Sequence, residues 1–170
     1  MKKQFRKLAE EYQDRIYTYA WYMLHCREEA EDVTQEVLVK LWQHVDEVDP
    51  GNLRSWVMRV TRNAVIDASR RRRTRKAVFA DGVEIETVAD VVTSSSRGAD
   101  GAVISREIRS ALETALASIE EPYRSIVVLR EIQGMTYAEV GEALELPLNT
   151  VKVYLHRGRR MLREELRGKV

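Results

Sequence analysis

Apolar side chains recur every three or four residues through three long stretches of the N-terminal half of the chain. That spacing places them on one face of an α-helix. It predicts helices over residues 4–24, 28–45 and 53–73, with a loop at 46–52. The predicted core faces are Leu8, Tyr12, Ile16, Tyr19 and Met23; Ala30, Val33, Val37, Leu41 and Val45; and Leu53, Trp56, Val57, Val60, Ala64 and Ala68. No strand-like alternation extends beyond a few residues, so the pattern predicts an all-α protein.

The helical pattern stops at residues 77–103, where acidic residues, Ser, Gly and short apolar groups are mixed. Such a composition is typical of a flexible linker. Beyond it, one helix is predicted from 104, and a second over Tyr123–Gln133, which Gly134 ends. The core face of the first comprises Ile104, Ile108, Leu112, Ala115, Leu116 and Ile119. The chain is therefore predicted to form two small helical domains, 1–76 and 104–170, joined by an acidic flexible linker.

A helix-turn-helix is predicted between Thr136 and Arg163. Thr136 and Glu139 have the spacing of a capping box, and Ala138, Val140, Gly141 and Leu144 form a small inner face. Pro147 ends this helix, and Asn149 or Thr150 caps the next one. The second helix has Val151, Leu155 and Leu162 at helical spacing.

The second helix of this motif is strongly basic. From Thr150 to Arg163 there are five Lys and Arg residues and no acidic residue. A basic face alone would favour a solvated helical hairpin. Together with the small-residue first helix and the turn that contains proline, it favours a helix that enters a DNA major groove.

Charge is distributed in blocks, although the formal net charge of the 170-residue chain is only +1. Residues 1–49 hold 7 Lys and Arg against 11 Asp and Glu, residues 50–76 hold 9 against 1, and residues 79–101 hold 1 against 5. The basic block ends in a run, Arg70–Arg73, followed by Arg75 and Lys76. This run exceeds what the C-terminus of a helix needs, so phosphate contact is predicted.

A second stripe accompanies the core face of the predicted helix 28–45. Gln35, Leu38 and Trp42 lie at i, i+3 and i+7, flanked by Asp32, Glu36 and Lys40. Trp42 could merely widen the core contact. Because the helix is apolar over more than one face, a groove on a partner protein is the alternative.

The sequence argues against several classes of protein. The three histidines are far apart, no phosphate-binding or nucleophile motif is present, and no cofactor, metal, small-molecule substrate or enzymatic activity is predicted. The single Cys26 fits a reducing cytoplasm, since one cysteine forms no internal disulfide. The basic start leads into no apolar segment, and nothing approaches a membrane span, so neither a signal peptide nor membrane insertion is expected.

Three motifs, in this order, resemble an extracytoplasmic-function sigma factor, a class of bacterial transcription initiation factor. AEDVTQEVLVKLW (30–42) resembles region 2.2, which docks on core RNA polymerase. SWVMRVTRNAVIDASRRRR (55–73) is similar to regions 2.3 and 2.4, which open and recognise the minus-10 element. Residues 120–166 are similar to region 4, which recognises the minus-35 element.

The resemblance implies a role for particular side chains. Polymerase binding would fall to Asp32, Gln35, Glu36, Leu38 and Trp42. Minus-10 recognition would involve Arg59, Arg62, Asn63, Arg70 and Arg71, with the loop 46–52 and Asn63 forming the pocket for a flipped base. Minus-35 recognition would involve Arg130, Thr150, Lys152, Val153, His156, Arg157 and Arg160. By the same resemblance Trp56 is a core residue, the acidic linker occupies the basic channel of the polymerase, and an anti-sigma protein is left open as a further partner.

Three residues depart from the family pattern. Asn149 stands where the family has Gly, and it tolerates a left-handed backbone better than other non-Gly residues, so we expect the turn to be kept. Val153 and Tyr154 replace more usual small or basic residues, which bears on the minus-35 bases recognised. Two rival interpretations are a stand-alone helix-turn-helix regulator with a helical dimerisation domain and a protein-binding adaptor.

Overall fold

The computed structural model describes residues 2–79 and 99–169, and these form two compact units. One holds the helices before residue 80 and the other most of the chain after residue 98. Every regular element in the described residues is helical, in agreement with the predicted all-α fold. Most of the predicted linker 77–103 lies outside the described residues. No helix within the described ranges is long and apolar enough to cross a membrane.

The first unit packs three helices around one core. They are α1 (Lys2–Leu24), α2 (Arg27–His44) and α3 (Leu53–Phe79), with a 3-10 turn at Pro50–Asn52. All three helices contact one another. Ile16 and Tyr19 of α1, Val37 and Leu41 of α2, and Val57 of α3 are almost fully buried. Most of the residues predicted for the core faces of this half are buried, whereas Leu8, Met23, Val45 and Val60 are only half-buried.

Two predictions for α3 were wrong. The helix ends at Phe79, six residues beyond the predicted end at Arg73. Residues 74–79 contain no Gly or Pro to stop it, and Arg, Lys and Ala favour its continuation. Trp56 is only half-buried, because the core side of this turn is occupied by Val57.

The second unit contains α4 (Ala99–Ser118), α5 (Tyr123–Val127), a π-turn (Val128–Ile132), α6 (Tyr137–Leu144) and α7 (Leu148–Arg167). Its core joins residues from every one of these elements. They are Ala115, Leu116, Ile126, Val127, Val128, Leu129, Val140, Val151 and Leu155. Met135, in the connection before α6, is also fully buried.

Several details of this unit differ from the predictions. Helix α4 begins at Ala99, inside the predicted linker. Ile108 is 62% exposed, because only the C-terminal half of α4 packs against the core. The predicted helix Tyr123–Gln133 changes to a π-turn at Val128, where Gln133 N donates to Val128 O at 3.0 Å. Ala138 is exposed, whereas Ala143 is fully buried.

The start of α7 also corrects the sequence analysis. The helix begins at Leu148 with Pro147 at its N-cap and no side-chain capping bond, so neither Asn149 nor Thr150 is the cap. Proline at this position is extended, with φ −58° and ψ 146°, and it lacks an N–H that would need a partner. The left-handed residue of the turn is Glu145, with φ 56°. Asn149 therefore has ordinary helical surroundings.

Candidate nucleic-acid interface

The second stripe of α2 lies outside the core. Ala30, Val33, Thr34, Val37 and Leu41 fill the buried face of the helix. Beside it, Asp32 and Gln35 are exposed, Leu38 and Glu36 are half-buried, and Trp42 is 60% exposed. Val39, which sequence analysis missed, is 53% exposed and lies three residues from Trp42. An exposed Val–Trp pair next to Leu38 forms an apolar surface suited to a protein partner.

Glu36 is held in place on this surface by its neighbour one turn away. Its Oε1 accepts a hydrogen bond from Lys40 Nζ at 2.8 Å. Both side chains remain partly exposed, at 36% and 41%. The apolar surface is thus edged by an ordered ion pair as well as by the exposed carboxylate of Asp32.

The predicted minus-10 residues of α3 follow one side of that helix. Asn63, Arg70 and Arg71 are exposed, whereas Arg59 and Arg62 are half-buried. The Nε of Arg59 is buried and has no hydrogen-bond partner among the described residues. The basic run is not uniform, since Arg72 turns inward to Glu29 and the carbonyl of Leu24. Arg72 is a structural residue that the charge pattern did not distinguish from its neighbours.

An open cleft lies between the end of α2 and the start of α3. It has a volume of about 420 Å³ and is lined by His44, Glu47, Val48, Asp49, Asn52 and Trp56. The rings of His44 and Trp56 are 6.1 Å apart, and His44 Nδ1 lies 2.9 Å from Glu47 Oε2. The cleft thus combines an aromatic wall with acidic and amide groups of the 46–52 loop, and Trp56 belongs to it.

The turn of the helix-turn-helix is built by local contacts that the sequence predicted in part. Thr136 N donates to Glu139 Oε2 at 2.7 Å, and Glu139 N donates to Thr136 Oγ1 at 3.2 Å, which confirms the capping box. Leu146 N donates to Gly141 O at 2.9 Å. A Cβ on Gly141 would lie 2.9 Å from the Leu146 carbonyl oxygen, so only glycine allows the chain to turn this closely.

Helix α7 is fixed by its inner face. Gly158 packs against Tyr123 and Val127, and a Cβ added to it would lie 2.7 Å from Val127 Cγ2. The Tyr123 and Tyr154 rings meet edge to face at 5.2 Å. Arg159 Nε donates to Glu131 Oε1 at 2.5 Å, and this hydrogen bond raises the pKa of Arg159. These contacts set the orientation of the opposite, outward face of the helix.

The predicted minus-35 residues of α7 lie on that outward face. Lys152, His156, Arg157 and Arg160 are exposed, Val153 is 48% exposed and Thr150 is half-buried. Arg130 lies elsewhere, in the π-turn. Its Nη1 donates to Met135 O at 2.8 Å, and its guanidinium lies 5.0 Å from the centre of the Tyr137 ring. Arg130 therefore braces the start of α6 while remaining partly exposed.

Family models match both units. The Sigma-70 region 2 model matches residues 8–75, and the Sigma-70 region 4 model matches residues 109–162. The ECF RNA polymerase sigma factor SigW of Bacillus subtilis is 30% identical over 166 residues, which cover 96% of this chain and 89% of SigW. The chain belongs to the ECF sigma factor family. It is an alternative sigma factor, a DNA-binding factor that directs RNA polymerase to its promoters.

A second relative supports the family, and two solved structures share the fold. The sigma factor is 32% identical to the ECF RNA polymerase sigma factor SigE of Mycolicibacterium smegmatis, over 94% of this chain and 60% of SigE. Its fold is similar to that of RpoE from Bartonella quintana, solved with the anti-sigma factor NepR, with a TM-score of 0.76 and 24% identity over 97% of this chain and 98% of RpoE. CnrH, solved with the cytosolic domain of CnrY, gives a TM-score of 0.70 at 20% identity over 100% of this chain and 92% of CnrH.

Proposed function

We propose that three separate surfaces of this sigma factor perform three steps of initiation. The α2 surface binds core polymerase, α3 and the adjoining cleft recognise and open the minus-10 element, and α7 recognises the minus-35 element. The observation on which this rests is the position of the contact side chains. On α2 and α7 none of the proposed contact residues belongs to the buried face of the helix.

The proposed polymerase surface comprises Asp32, Gln35, Glu36, Leu38 and Trp42, together with Val39. Removing water from Val39 and Trp42 supplies the free energy of docking, because both are more than half exposed in this chain. The Lys40–Glu36 pair and Asp32 supply the polar edge that orients the contact. An aromatic anchor next to aliphatic side chains is the usual composition of an interface hot spot.

The proposed minus-10 surface separates affinity from selection. Arg59, Arg62, Arg70 and Arg71 supply positive charge that attracts either strand through its phosphates. Asn63 presents both hydrogen-bond donors and an acceptor, which can distinguish one base edge from another. The cleft beside Trp56 has an aromatic wall on which an unstacked base could rest, which offsets part of the few kcal/mol that unstacking costs.

The proposed minus-35 surface is the outward face of α7. Lys152, His156, Arg157 and Arg160 offer donors to base edges and phosphates, and Thr150 and Val153 lie in the same two turns. Arg130 is proposed as a phosphate contact from the π-turn, where its bond to Met135 O leaves other guanidinium N–H groups for a ligand.

The wider assignment follows from these surfaces. We infer that residues 1–76 and 104–170 act as the minus-10 and minus-35 units, that 77–103 connects them through the polymerase, and that the protein acts in the cytoplasm without catalytic activity. Since RpoE was solved with an anti-sigma factor, an anti-sigma protein is proposed as a third partner.

Separation of function tests the proposal. The full chain and its Trp42→Ala, Asn63→Ala and Arg157→Ala variants would be assayed for assembly with core polymerase, for promoter opening and for upstream DNA binding. Each variant should fail chiefly at its own step. Failure of the wild-type chain to assemble with core polymerase, or equal loss of all three steps in every variant, would contradict the division of roles.

A further inference from the structure

The outward face of α7 has a stripe of four residues that includes one not assigned above. Asn149, Val153, His156 and Arg160 are all exposed and recur at i, i+4, i+7 and i+11. The inner residues Val151, Leu155, Gly158 and Leu162 repeat with the same spacing two positions later. Two residues correspond to about 200° of rotation, so the outward stripe lies opposite the centre of the buried face. It is the part of α7 best placed to enter a groove.

Asn149 is available for recognition because the turn does not need it. The left-handed position belongs to Glu145, and the helix is preceded by Pro147, so Asn149 is the second residue of α7. The Asn149 side chain is exposed, and its amide forms no hydrogen bond with any of the described residues. A carboxamide can donate to N7 and accept from N6 of adenine at the same time, and this bidentate pair of hydrogen bonds identifies adenine in the major groove.

Val153 lies one turn beyond Asn149. It is 48% exposed, and the other members of the outward stripe are polar or basic. A single exposed valine is common on protein surfaces, so its exposure alone has no meaning. Its position is informative for two reasons. Side chains at i and i+4 are neighbours, so Val153 lies beside Asn149. The first turns of a recognition helix also approach the base edges. The apolar group that DNA presents there is the C5-methyl of thymine.

We propose that Asn149 and Val153 form an A·T reader in the minus-35 element. The Asn149 amide forms two hydrogen bonds with adenine, and the Val153 side chain contacts a thymine methyl of the same or the neighbouring base pair. This inference rests on the proposed role of α7 in minus-35 recognition. It adds Asn149 to the recognition residues and gives Val153 a defined chemical target.

The first test is selection of promoter DNA by holoenzyme containing the full chain. A library with a randomised upstream window would be selected with the wild type, Asn149→Ala, Val153→Ala and Leu148→Ala. Leu148 is a matched control, since it is 47% exposed on the same helix but lies about 140° of rotation from Val153. The wild type and Leu148→Ala should enrich the same A·T pairs, and Asn149→Ala should lose the preference for adenine by about fivefold or more.

The second test removes only the methyl group. Deoxyuridine would replace each selected thymine in turn, and binding by the wild-type holoenzyme should weaken about fourfold at one position, the cost of one small apolar contact. Val153→Ala should not respond to that replacement, and Val153→Thr, which keeps the shape of the side chain, shows whether loss of volume alone disturbs the helix. Hydrogen exchange of the α7 amides, unchanged from the wild type, would confirm that each variant keeps the second unit folded.

The outcomes separate the two levels of inference. If the wild type enriches no upstream sequence, minus-35 recognition by α7 is wrong, and the A·T reader with it. If the wild type enriches a sequence that the Asn149 and Val153 variants enrich equally, or if no deoxyuridine replacement distinguishes Val153→Ala from the wild type, the reader alone is wrong.

Discussion

Arg72 joins the C-terminal part of α3 to the junction between α1 and α2. Its Nη2 donates to the Leu24 carbonyl at 2.9 Å, and its Nε donates to Glu29 Oε1 at 3.2 Å. A second contact joins Nη2 to Glu29 Oε2. The hydrogen bond with Glu29 raises the pKa of Arg72, and burial opposes this rise. One arginine of the basic run thus stabilises the fold, while its exposed neighbours remain available to DNA.

Arg72→Ala should therefore destabilise the first unit. We expect the free energy of unfolding to fall by about 1–2 kcal/mol, since a charge-assisted bond to a mostly buried carboxylate is lost but part of its strength is screened by solvent. All three tryptophans, Trp21, Trp42 and Trp56, lie in this unit. Urea unfolding followed by tryptophan fluorescence consequently measures its stability.

Arg73→Ala is the matched control, because Arg73 is exposed and should change stability by less than about 0.5 kcal/mol. Folding raises the pKa of Arg72 above that of an ordinary arginine. The contribution of Arg72 to the free energy of unfolding is therefore complete below the ordinary arginine pKa, and it is lost only as the pH rises through the raised pKa of the folded protein. The difference in the free energy of unfolding between Arg72→Ala and the wild type should thus stay constant around neutral pH. Equal stability of the two arginine variants would contradict the assignment.

Trp42→Ala should weaken binding to core polymerase by about 2 kcal/mol, because an exposed aromatic anchor is removed from the proposed interface. It is a cleaner probe than Leu38→Asp, since Leu38 is partly buried and a charge there could also disturb the core. The measurement is displacement of labelled wild-type factor from core polymerase. Phe79→Ala removes another exposed aromatic, 64% exposed compared with 60% for Trp42, and should leave affinity unchanged. Equal effects of both variants would argue against the α2 surface.

Hydrophobic periodicity predicted the core of the first unit well, because each helix buries one stripe against the other two. It could not predict the end of α3, where no core contact is needed and helix propensity alone decides. Arg72 and Arg73 also look alike in the sequence. Their separation depends on where Glu29 and Leu24 lie in space, 43 and 48 residues earlier in the chain.

The second unit was harder to predict because contacts between distant segments override local signals. Ile126, Val127, Val128 and Leu129 are consecutive and all buried, so periodicity gave no sign of the π-turn. The capping box at Thr136 was predicted correctly since both of its bonds are local. Asn149 was interpreted as a turn residue by analogy with glycine, whereas the geometry assigns that strain to Glu145.

Gly158→Ala should destabilise the second unit by about 1–3 kcal/mol. The new Cβ would lie 2.7 Å from Val127 Cγ2 and 3.3 Å from the Tyr123 carbonyl oxygen, so α7 must move away from α5. Gly168→Ala is the control, because nothing lies within 4 Å of a Cβ there. Hydrogen exchange of the α7 amides should accelerate only in Gly158→Ala. Unchanged protection would mean that the contact adjusts without cost.

Arg157→Ala should weaken binding of holoenzyme to minus-35 DNA, because Arg157 is exposed on the outward face of α7. A bidentate contact with guanine predicts a loss of about 1–3 kcal/mol that is confined to one base position. A phosphate contact predicts that affinity falls equally for all DNA sequences. It also predicts that the slope of log affinity against log salt concentration decreases by about one. Lys169→Ala removes the same charge beyond the end of α7, and it should change neither the affinity for minus-35 DNA nor its salt dependence. DNA binding indistinguishable from the wild type would remove Arg157 from the recognition surface.

Asn63→Ala should impair promoter opening while leaving polymerase binding and duplex affinity nearly intact. Asn63 is exposed on α3, next to Arg62 and one turn from Arg59, so those arginines can hold the strand without its help. The amide can select a base, because a wrong base leaves its donor or acceptor unpaired. Permanganate reactivity of unpaired thymines in the minus-10 region measures opening. Gln13→Ala removes an exposed amide from α1 and should open promoters normally. If Asn63→Ala also opens them normally, selection must lie in the cleft formed by the 46–52 loop and Trp56.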